Sequence, residues 1–252
     1  MLIVMSLGGS VLAGDLDPAC FLKYAEVLRR ISEKHDLLVV TGGGVYARRY
    51  IELARGVGAD EVACDFIGID ITRLNAGMLI TALGDDAYPD IPKDYKEAKK
   101  AMECGKIVVM GGVVPGQTTD AVSAAVAEHI HADLLVIPTS VDGVYTADPH
   151  VDPNAKKYDT IPIGELIRMS FGTALKAGSK SPIDPVACKL IERSGIRTIV
   201  MDGRDTDALE KLIDAEAECR CVKCCGTIIV RRERWSEILN PGTMTRDLHS
   251  EI

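Results

Sequence analysis

Aromatic side chains, excess positive charge and long apolar runs are all scarce in this sequence. Aromatic residues make up 4% of its 252 residues, so extensive stacking is excluded as its main means of recognising a flat ligand. Lys and Arg number 29 against 37 Asp and Glu, which disfavours nucleic acid as a partner because such binding needs clustered positive charge. The longest apolar runs, such as "LLVIP" at 134–138, are far shorter than a membrane span, and the first ten residues lack the basic start of a signal peptide. We therefore expect a cytoplasmic protein that acts on a small molecule, with no membrane partner.

The sequence consists largely of short apolar strands that alternate with helical patterns. The predicted strands are 2–9, 36–44, 106–112, 133–140 and 197–201. Near-continuous apolar strands separated by helices are typical of a parallel sheet with both faces covered. The sequence thus predicts an α/β protein, a three-layer αβα sandwich with a mainly parallel central sheet. A hydrophobic content of 47% is enough to build its core.

Glycine-rich segments follow four of these strands. They are "GGS" at 8–10, "GGG" at 42–44, "GG" at 111–112 and "SVDGVYTADP" at 140–149. Ligands of open α/β sheets bind beyond the carboxyl ends of the strands, so the four segments are expected to border one cleft. Glycine permits close backbone approach, and the N–H groups at the start of a following helix bind anions. The ligand that this pattern favours carries several phosphates.

The third of these segments continues as "GGVVPGQTT", 111–119, which has the spacing of a P-loop. Gln117 stands where the P-loop lysine belongs, and Pro115 removes a backbone donor, so a Walker A motif is disfavoured. Thr118 and Thr119 lie at the start of a predicted helix, where hydroxyl and N–H groups can bind an oxyanion. The loop suits a phosphate that is held rather than transferred. The alternative is a simple helix cap after a tight turn.

Six segments taken together resemble the archaeal-type uridylate kinases of the amino-acid kinase family. They are "LGGS", "VVTGGGVYARRYI", "DFIGIDITRLNAGMLI", "MGGVVPGQTTDAVSA", "IPTSVDGVYTADP" and "IDPVACKLIERSGIRTIV". They occur in the expected order from residue 1 to about residue 213. The resemblance implies ATP-dependent phosphorylation of UMP to UDP in pyrimidine nucleotide biosynthesis, with Mg²⁺ accompanying ATP and a homohexameric assembly.

The same resemblance implies the residues of the site. ATP is expected at Gly9, Ser10, Gly44 and Arg48, with Thr139, Tyr145 and Asp148 around its nucleoside. UMP is expected at Gly43, Asp65, Val113, Val114, Pro115, Gly116, Gln117, Thr118 and Thr119. Arg48 and Asp184 are the expected catalytic residues, and no protein metal site is implied.

The chemistry of three of these side chains agrees with those roles. Phosphoryl transfer needs positioning and charge neutralisation, which Arg48 can provide near the start of a helix. The Asp65 carboxylate can accept hydrogen bonds from both ribose hydroxyls. The alternatives are an exposed surface charge for Arg48, a helix-surface acid for Asp65, and a helix cap for Asp184. Lys180, close to Asp184 in sequence, is more simply a solvated charge.

Ser6 departs from the family pattern. Many members of the family carry a lysine at this position, two residues before the glycine pair. Two alternatives therefore stay open. One is a sibling kinase acting on another small phosphate or carboxylate, and the other is a non-catalytic nucleotide sensor or oxyanion-storage protein.

The C-terminal part of the sequence is the least informative. We expect a kinase domain over residues 1–230, with an acceptor-binding part at about 1–135 and an ATP-binding part at about 136–230. Residues 231–252 form an extension of unknown role, either lineage-specific or an oligomer contact. The segment "CRCVKCC", 219–225, does not have the spacing of paired C-x-x-C zinc ligands, so we expect no bound metal there; the alternative is a zinc or iron-sulfur site.

Overall fold

The computed structural model describes residues 1–147, 149, 151–171, 183–218 and 226–230, and these contain one seven-stranded sheet. The strands are β1 Leu2–Leu7, β2 Asp36–Thr41, β3 Val108–Met110, β4 Leu134–Thr139, β5 Thr160–Pro162, β6 Arg197–Asp202 and β7 Thr227–Val230. The helices are α1 Gly9–Leu12, α2 Pro18–Ser32, α3 Gly44–Gly56, α4 Glu61–Leu83, α5 Tyr95–Met102, α6 Thr119–Ile130, α7 Ile163–Phe171, α8 Pro185–Ser194 and α9 Thr206–Ala217. Asp148, Lys180 and residues 219–225 and 231–252 lie outside the described residues.

The strand order is β3-β2-β1-β4-β6-β7-β5. Every strand pair in it is parallel apart from β6 with β7. Helices cover both faces, since one core cluster joins the sheet to α2, α4 and α9 and another joins it to α5, α6, α7 and α8. The predicted three-layer αβα sandwich with a mainly parallel sheet is confirmed.

Strand β1 shows how the sequence builds the two cores. Ile3, Met5 and Leu7 point into one cluster and Val4 into the other, because successive side chains of a strand face opposite sides of the sheet. Ser6 shares the face of Val4 and is buried although it is polar. A buried hydroxyl needs a hydrogen-bond partner, and Ser6 has one in Asp120.

Six of the described helices, α2, α4, α5, α6, α8 and α9, begin at an acidic or hydroxyl side-chain cap. Asp17 accepts a hydrogen bond from the Ala19 N–H at 2.9 Å, and α2 begins at the next residue, Pro18, which has no N–H to satisfy. Asp60 caps the long α4 in the same way, with the Ala63 nitrogen 2.8 Å from its carboxylate. Such caps satisfy N–H groups that have no partner within the helix.

The predicted strand ends and the edge of the sheet differ from the structure. The strands predicted over 2–9 and 36–44 are too long, because the glycines at their ends leave the sheet and begin α1 and α3. Strands β5 and β7 were not expected. They are only three and four residues long. Strand β7 pairs with β6 in the antiparallel direction, so it is not predicted by the alternation of strands and helices that is typical of a parallel sheet.

Helix α4 is unusually apolar. With the turn after it, Glu61–Asp86, it is the one helix among the described residues that is long and apolar enough to cross a membrane. It instead packs on α2 and α3 and against β2 and β3, which makes it a covering helix of the sheet. Only a third of its most apolar stretch is buried, so much of its apolar surface faces outward.

Candidate active site

A cavity of about 360 Å³ opens where the loops after β1, β2 and β3 meet α3 and α4. Its volume is in the range of small-molecule sites. Ten of the predicted site residues line it: Gly9, Ser10, Gly43, Gly44, Arg48, Asp65, Val114, Gln117, Thr118 and Thr119. The structure therefore gathers most of the predicted acceptor site and the predicted phosphate contacts of ATP in one cleft.

The floor of the cleft is a contact between two glycine loops. A Cβ on Gly9 would lie 2.2 Å from the Gly44 nitrogen and 2.5 Å from the Gly42 oxygen. Gly44 has φ +65°, a conformation that favours glycine, and a Cβ there would lie 2.5 Å from the Gly9 oxygen. Side chains are thus excluded where backbone N–H groups border the cleft.

Two helices begin at this cleft. Gly43 and Gly44 line it at the start of α3, and Thr118 and Thr119 line it at the start of α6. Thr118 caps α6, accepting from the Ala121 N–H at 3.3 Å. Each helix start directs unpaired N–H groups and a partial positive charge outward, which suits phosphate oxygens.

Arg48 adds a full positive charge to the cleft wall. It lies in α3, is exposed, and lines the cleft. The neighbouring Arg49 is directed elsewhere, with its guanidinium 5.8 Å from the centre of the Tyr46 ring. The two adjacent arginines of the sequence are therefore in different surroundings.

Asp65 is bonded to the loop opposite it. Its Oδ2 accepts the Gly116 N–H at 2.8 Å, and Gly116 has φ +78°. The carboxylate is partly buried in the cleft wall and retains lone pairs for other donors. Asp65 is thus more than the isolated helix-surface acid weighed from the sequence.

Three further α4 side chains, which sequence reasoning missed, hold the glycine loops in place. Thr72 Oγ1 accepts the Gly112 N–H at 2.7 Å, and Arg73 Nε donates to the Gly112 oxygen at 3.2 Å. Asn75, 5% exposed, donates from Nδ2 to the Gly42 oxygen at 2.7 Å. Thr72 and Asn75 are three positions apart and therefore share one helix face, and this spacing is the signal that could have identified them.

Ser6 and Asp120 form a polar pair where β1 meets α6. The Ser6 hydroxyl donates to Asp120 Oδ1 at 2.7 Å. Burial raises the pKa of Asp120 to about 6; the bond from Ser6 opposes this rise and the neighbouring charge of Asp184 adds to it. Asp120, which follows Thr119 of the cleft, was also missed from the sequence.

Asp184 caps a helix. Its Oδ1 accepts the N–H groups of Val186 at 2.5 Å and Ala187 at 3.0 Å, at the start of α8. The cap that the sequence offered as an alternative role is therefore present. Asp184 is not among the residues that line the cleft, and its link to the site is its effect on Asp120.

Two of the residues predicted around the ATP nucleoside, Thr139 and Tyr145, are not among the residues that line the cleft. Thr139 ends β4, and its carbonyl accepts the Gly203 N–H at 2.8 Å. Tyr145 donates from its hydroxyl to Asp142 at 2.6 Å. Neither lines the cleft, and nor do Val113, Pro115 and Gly116 of the third loop.

Comparison with known proteins identifies the family. The sequence profile of the amino acid kinase family matches residues 1–202. The chain belongs to this family. It is 60% identical over 232 residues to the uridylate kinase of Methanosarcina barkeri, with 92% of this chain and 100% of that protein covered.

Two further relatives give the same result. The uridylate kinase of Methanococcoides burtonii is 60% identical over 217 residues, covering 86% of this chain and 93% of that one. The crystal structure of uridylate kinase from Archaeoglobus fulgidus superimposes with a TM-score of 0.80 at 40% identity, covering 91% of this chain and 100% of that one. The resemblance to archaeal uridylate kinases is confirmed.

Proposed function

We propose that this protein transfers the γ-phosphoryl group of ATP to UMP, forming UDP for pyrimidine nucleotide synthesis. The observation that carries the proposal is 60% identity across the entire length of a uridylate kinase. The cleft supports it, because two helix starts, Arg48 and the Asp65 carboxylate border one cavity. Phosphates and a ribose are the ligand parts that these groups suit.

We assign different residues of this site to UMP and to ATP. We assign UMP to Gly43, Asp65 and the loop 113–119, and the ATP phosphates to Gly9, Ser10, Gly44 and Arg48. Thr139, Tyr145 and Asp148 are assigned to the ATP nucleoside. Support comes from the position of these loops along one edge of the sheet, where α/β folds bind ligands.

Catalysis in this arrangement is positioning and charge neutralisation. The N–H groups at the starts of α3 and α6 hold phosphate oxygens, and Arg48 stabilises the negative charge of the moving phosphoryl group. No covalent protein intermediate is needed. Ser6 carries no charge, so it cannot take the role of the lysine found in many family members, and Arg48 bears more of that role. Asp184 acts on this centre through Asp120.

We propose that Mg²⁺ enters the site together with ATP. Among the described residues no group of three or more His, Cys, Asp or Glu stands ready to bind an ion, so substrate phosphates would supply most of its ligands. Asp120 and Ser6 offer hard oxygen atoms 2.7 Å apart, but neither lines the cleft, so we assign no protein ligand to the ion. When bound, the ion neutralises phosphate charge.

We also propose one kinase domain over residues 1–230, with the acceptor part at about 1–135 and the ATP part at about 136–230. Strand β7, Thr227–Val230, supports the C-terminal limit, because it pairs with β5 and β6 inside the same sheet. Residues 231–252 are then an extension of this domain.

A homo-oligomer, a hexamer by family resemblance, is the assembly that we propose, in the cytoplasm. Support comes from an apolar face on α3 and α4, whose side chains are all more than half exposed: Tyr50, Leu53, Val57, Val62, Phe66, Leu74 and Met78. A second copy that covers this face would remove it from water. Light scattering of the purified chain gives the assembly mass directly.

An assay with ATP, Mg²⁺ and a panel of acceptors tests the proposed reaction. UMP, CMP, dTMP, isopentenyl phosphate and an amino acid separate a uridylate kinase from a sibling kinase of the family. We expect UMP to be the best acceptor. Tight nucleotide binding without turnover of any acceptor would favour the sensor or storage alternative that Ser6 left open.

A further inference from the structure

A hydrogen bond between Tyr95 and Gln117 reaches the cleft from outside it. The Tyr95 hydroxyl donates to Oε1 of Gln117 at 2.6 Å. Gln117 lines the cleft, whereas Tyr95 belongs to α5 behind the loop and is not part of the lining. The bond therefore fixes the orientation of a cleft side chain from a separate element.

Tyr95 is itself held firmly by the start of α5. Asp94 caps this helix, and its Oδ1 accepts the N–H groups of Lys96 and Glu97, each at 2.8 Å. Glu97 reaches back and accepts the Lys93 N–H at 2.8 Å, a reciprocal arrangement like a capping box. The Tyr95 ring packs against the same core cluster as Val113. The hydroxyl therefore has a defined position.

The direction of the bond determines which end of the carboxamide is left for a ligand. Burial raises the pKa of Tyr95, so its hydroxyl stays protonated and can donate. A carboxamide has an accepting oxygen and a donating NH₂, and Tyr95 occupies the oxygen. Within the part of the chain that the structure describes, the Gln117 NH₂ has no protein partner. It remains available as a donor in the cleft.

We propose that Tyr95 makes the site select uracil over cytosine by presenting the Gln117 NH₂ to the base. Uracil carries an accepting carbonyl oxygen at C4, whereas cytosine carries an amino group there, which would face Gln117 donor to donor. The inference rests on the proposed function, since it assumes that UMP occupies the cleft.

The neighbours of Gln117 are consistent with a base at this position. Gly116, the preceding residue, is bonded to Asp65, the proposed ribose contact, and the helix starts that suit phosphates are Gly44 and Thr119. Val114 adds an apolar surface to the same wall. Because the chain has few aromatic residues, we expect hydrogen bonds rather than stacking to distinguish one base from another. A site that leaves a donor facing a donor rejects the wrong ligand strongly.

Tyr95→Phe tests the proposal, because it keeps the ring and removes the hydroxyl. The Gln117 carboxamide can then rotate by 180° so that its oxygen accepts a hydrogen bond from the amino group of cytosine. We expect the ratio of kcat/KM for UMP to that for CMP to fall by about 3- to 10-fold, mainly through KM, with the KM for ATP unchanged. Gln117→Glu replaces the donor by an acceptor, and the ratio should fall further.

Tyr88→Phe is the matched control. Tyr88 packs against the same core cluster, and in the described residues its hydroxyl makes no hydrogen bond. The control should keep the wild-type ratio, and melting temperatures of all variants would separate specificity from loss of folding. An unchanged ratio in Tyr95→Phe overturns this inference alone. A wild-type chain that does not phosphorylate UMP overturns the proposed function and this inference with it.

Discussion

Gly9 and Gly44 touch backbone to backbone at the floor of the cleft, and neither position has room for a side chain. A Cβ on Gly9 would lie 2.2 Å from the Gly44 nitrogen, a separation that real Cβ contacts do not reach. The contact joins the loop after β1 to the start of α3. It therefore fixes the two segments that we propose as phosphate-binding relative to each other before any ligand is bound.

Gly9→Ala should destabilise the protein and disrupt the cleft, because backbone atoms on both sides prevent local relief. We expect a cost of at least about 2 kcal/mol, visible as a melting temperature lower by about 5 °C or more. Gly56→Ala is the matched control, since a Cβ at this last residue of α3 has nothing within 4 Å. It should be neutral or slightly stabilising. Equal melting temperatures for the two variants would contradict the steric argument.

The residues at the strand ends that form the cleft could be predicted from the sequence. The residues that contact these from other elements, Tyr95 and Asp120, could not. Gly9, Gly44 and Thr118 follow apolar strands, and the carboxyl ends of parallel strands meet at one edge, so their proximity follows from the pattern. Tyr95 reaches the cleft through a tertiary contact with a residue 22 positions away, and no local pattern encodes that contact. The role of Asp120 depends in the same way on a contact with Ser6, 114 positions away in sequence.

Arg48→Ala should lower kcat by about 10-fold or more if its charge acts mainly in the transition state, because no neighbouring arginine is directed to the same place. Arg49→Ala is the control, as its guanidinium stacks on Tyr46. Steady-state kinetics with saturating ATP and UMP would compare them. If the Arg48→Ala variant kept the wild-type kcat, Arg48 would be an ordinary surface charge with no role in catalysis.

Asp120 makes the stability of the metal-free protein depend on pH. Its pKa is raised from 3.8 to about 6, chiefly by burial, so the folded protein binds a proton more tightly than the unfolded chain does. Its contribution to stability is therefore greatest below pH 4 and is lost as the pH rises through 6. Asp120→Asn keeps an acceptor for Ser6 without the charge.

The Asn variant should be more stable than wild type by about 1 to 3 kcal/mol at pH 8, with the difference vanishing near pH 4. Denaturant titrations in EDTA at several pH values measure this difference. A gap between the two proteins that is constant with pH would show that Asp120 is not the titrating group.

Asp65 has two tasks in the proposed site, and two substitutions separate them. One oxygen accepts the Gly116 N–H at 2.8 Å, and we assign the remaining acceptor capacity to the ribose hydroxyls of UMP. Asp65→Asn retains an oxygen for Gly116 but replaces the other by a neutral NH₂. Asp65→Ala removes both and releases the loop as well.

For Asp65→Asn we expect kcat/KM for UMP to fall about 10- to 100-fold, because hydrogen bonds to a charged group are worth about 1.5 to 3 kcal/mol. The KM for ATP should hardly change. The wild-type protein should discriminate against dUMP, which lacks one ribose hydroxyl, and the Asn variant should discriminate less. Asp65→Ala should lose more activity than Asp65→Asn, since Gly116 loses its partner too. Equal use of UMP and dUMP by wild type and the Asn variant would mean that Asp65 holds only the loop, and that the ribose is read by another group.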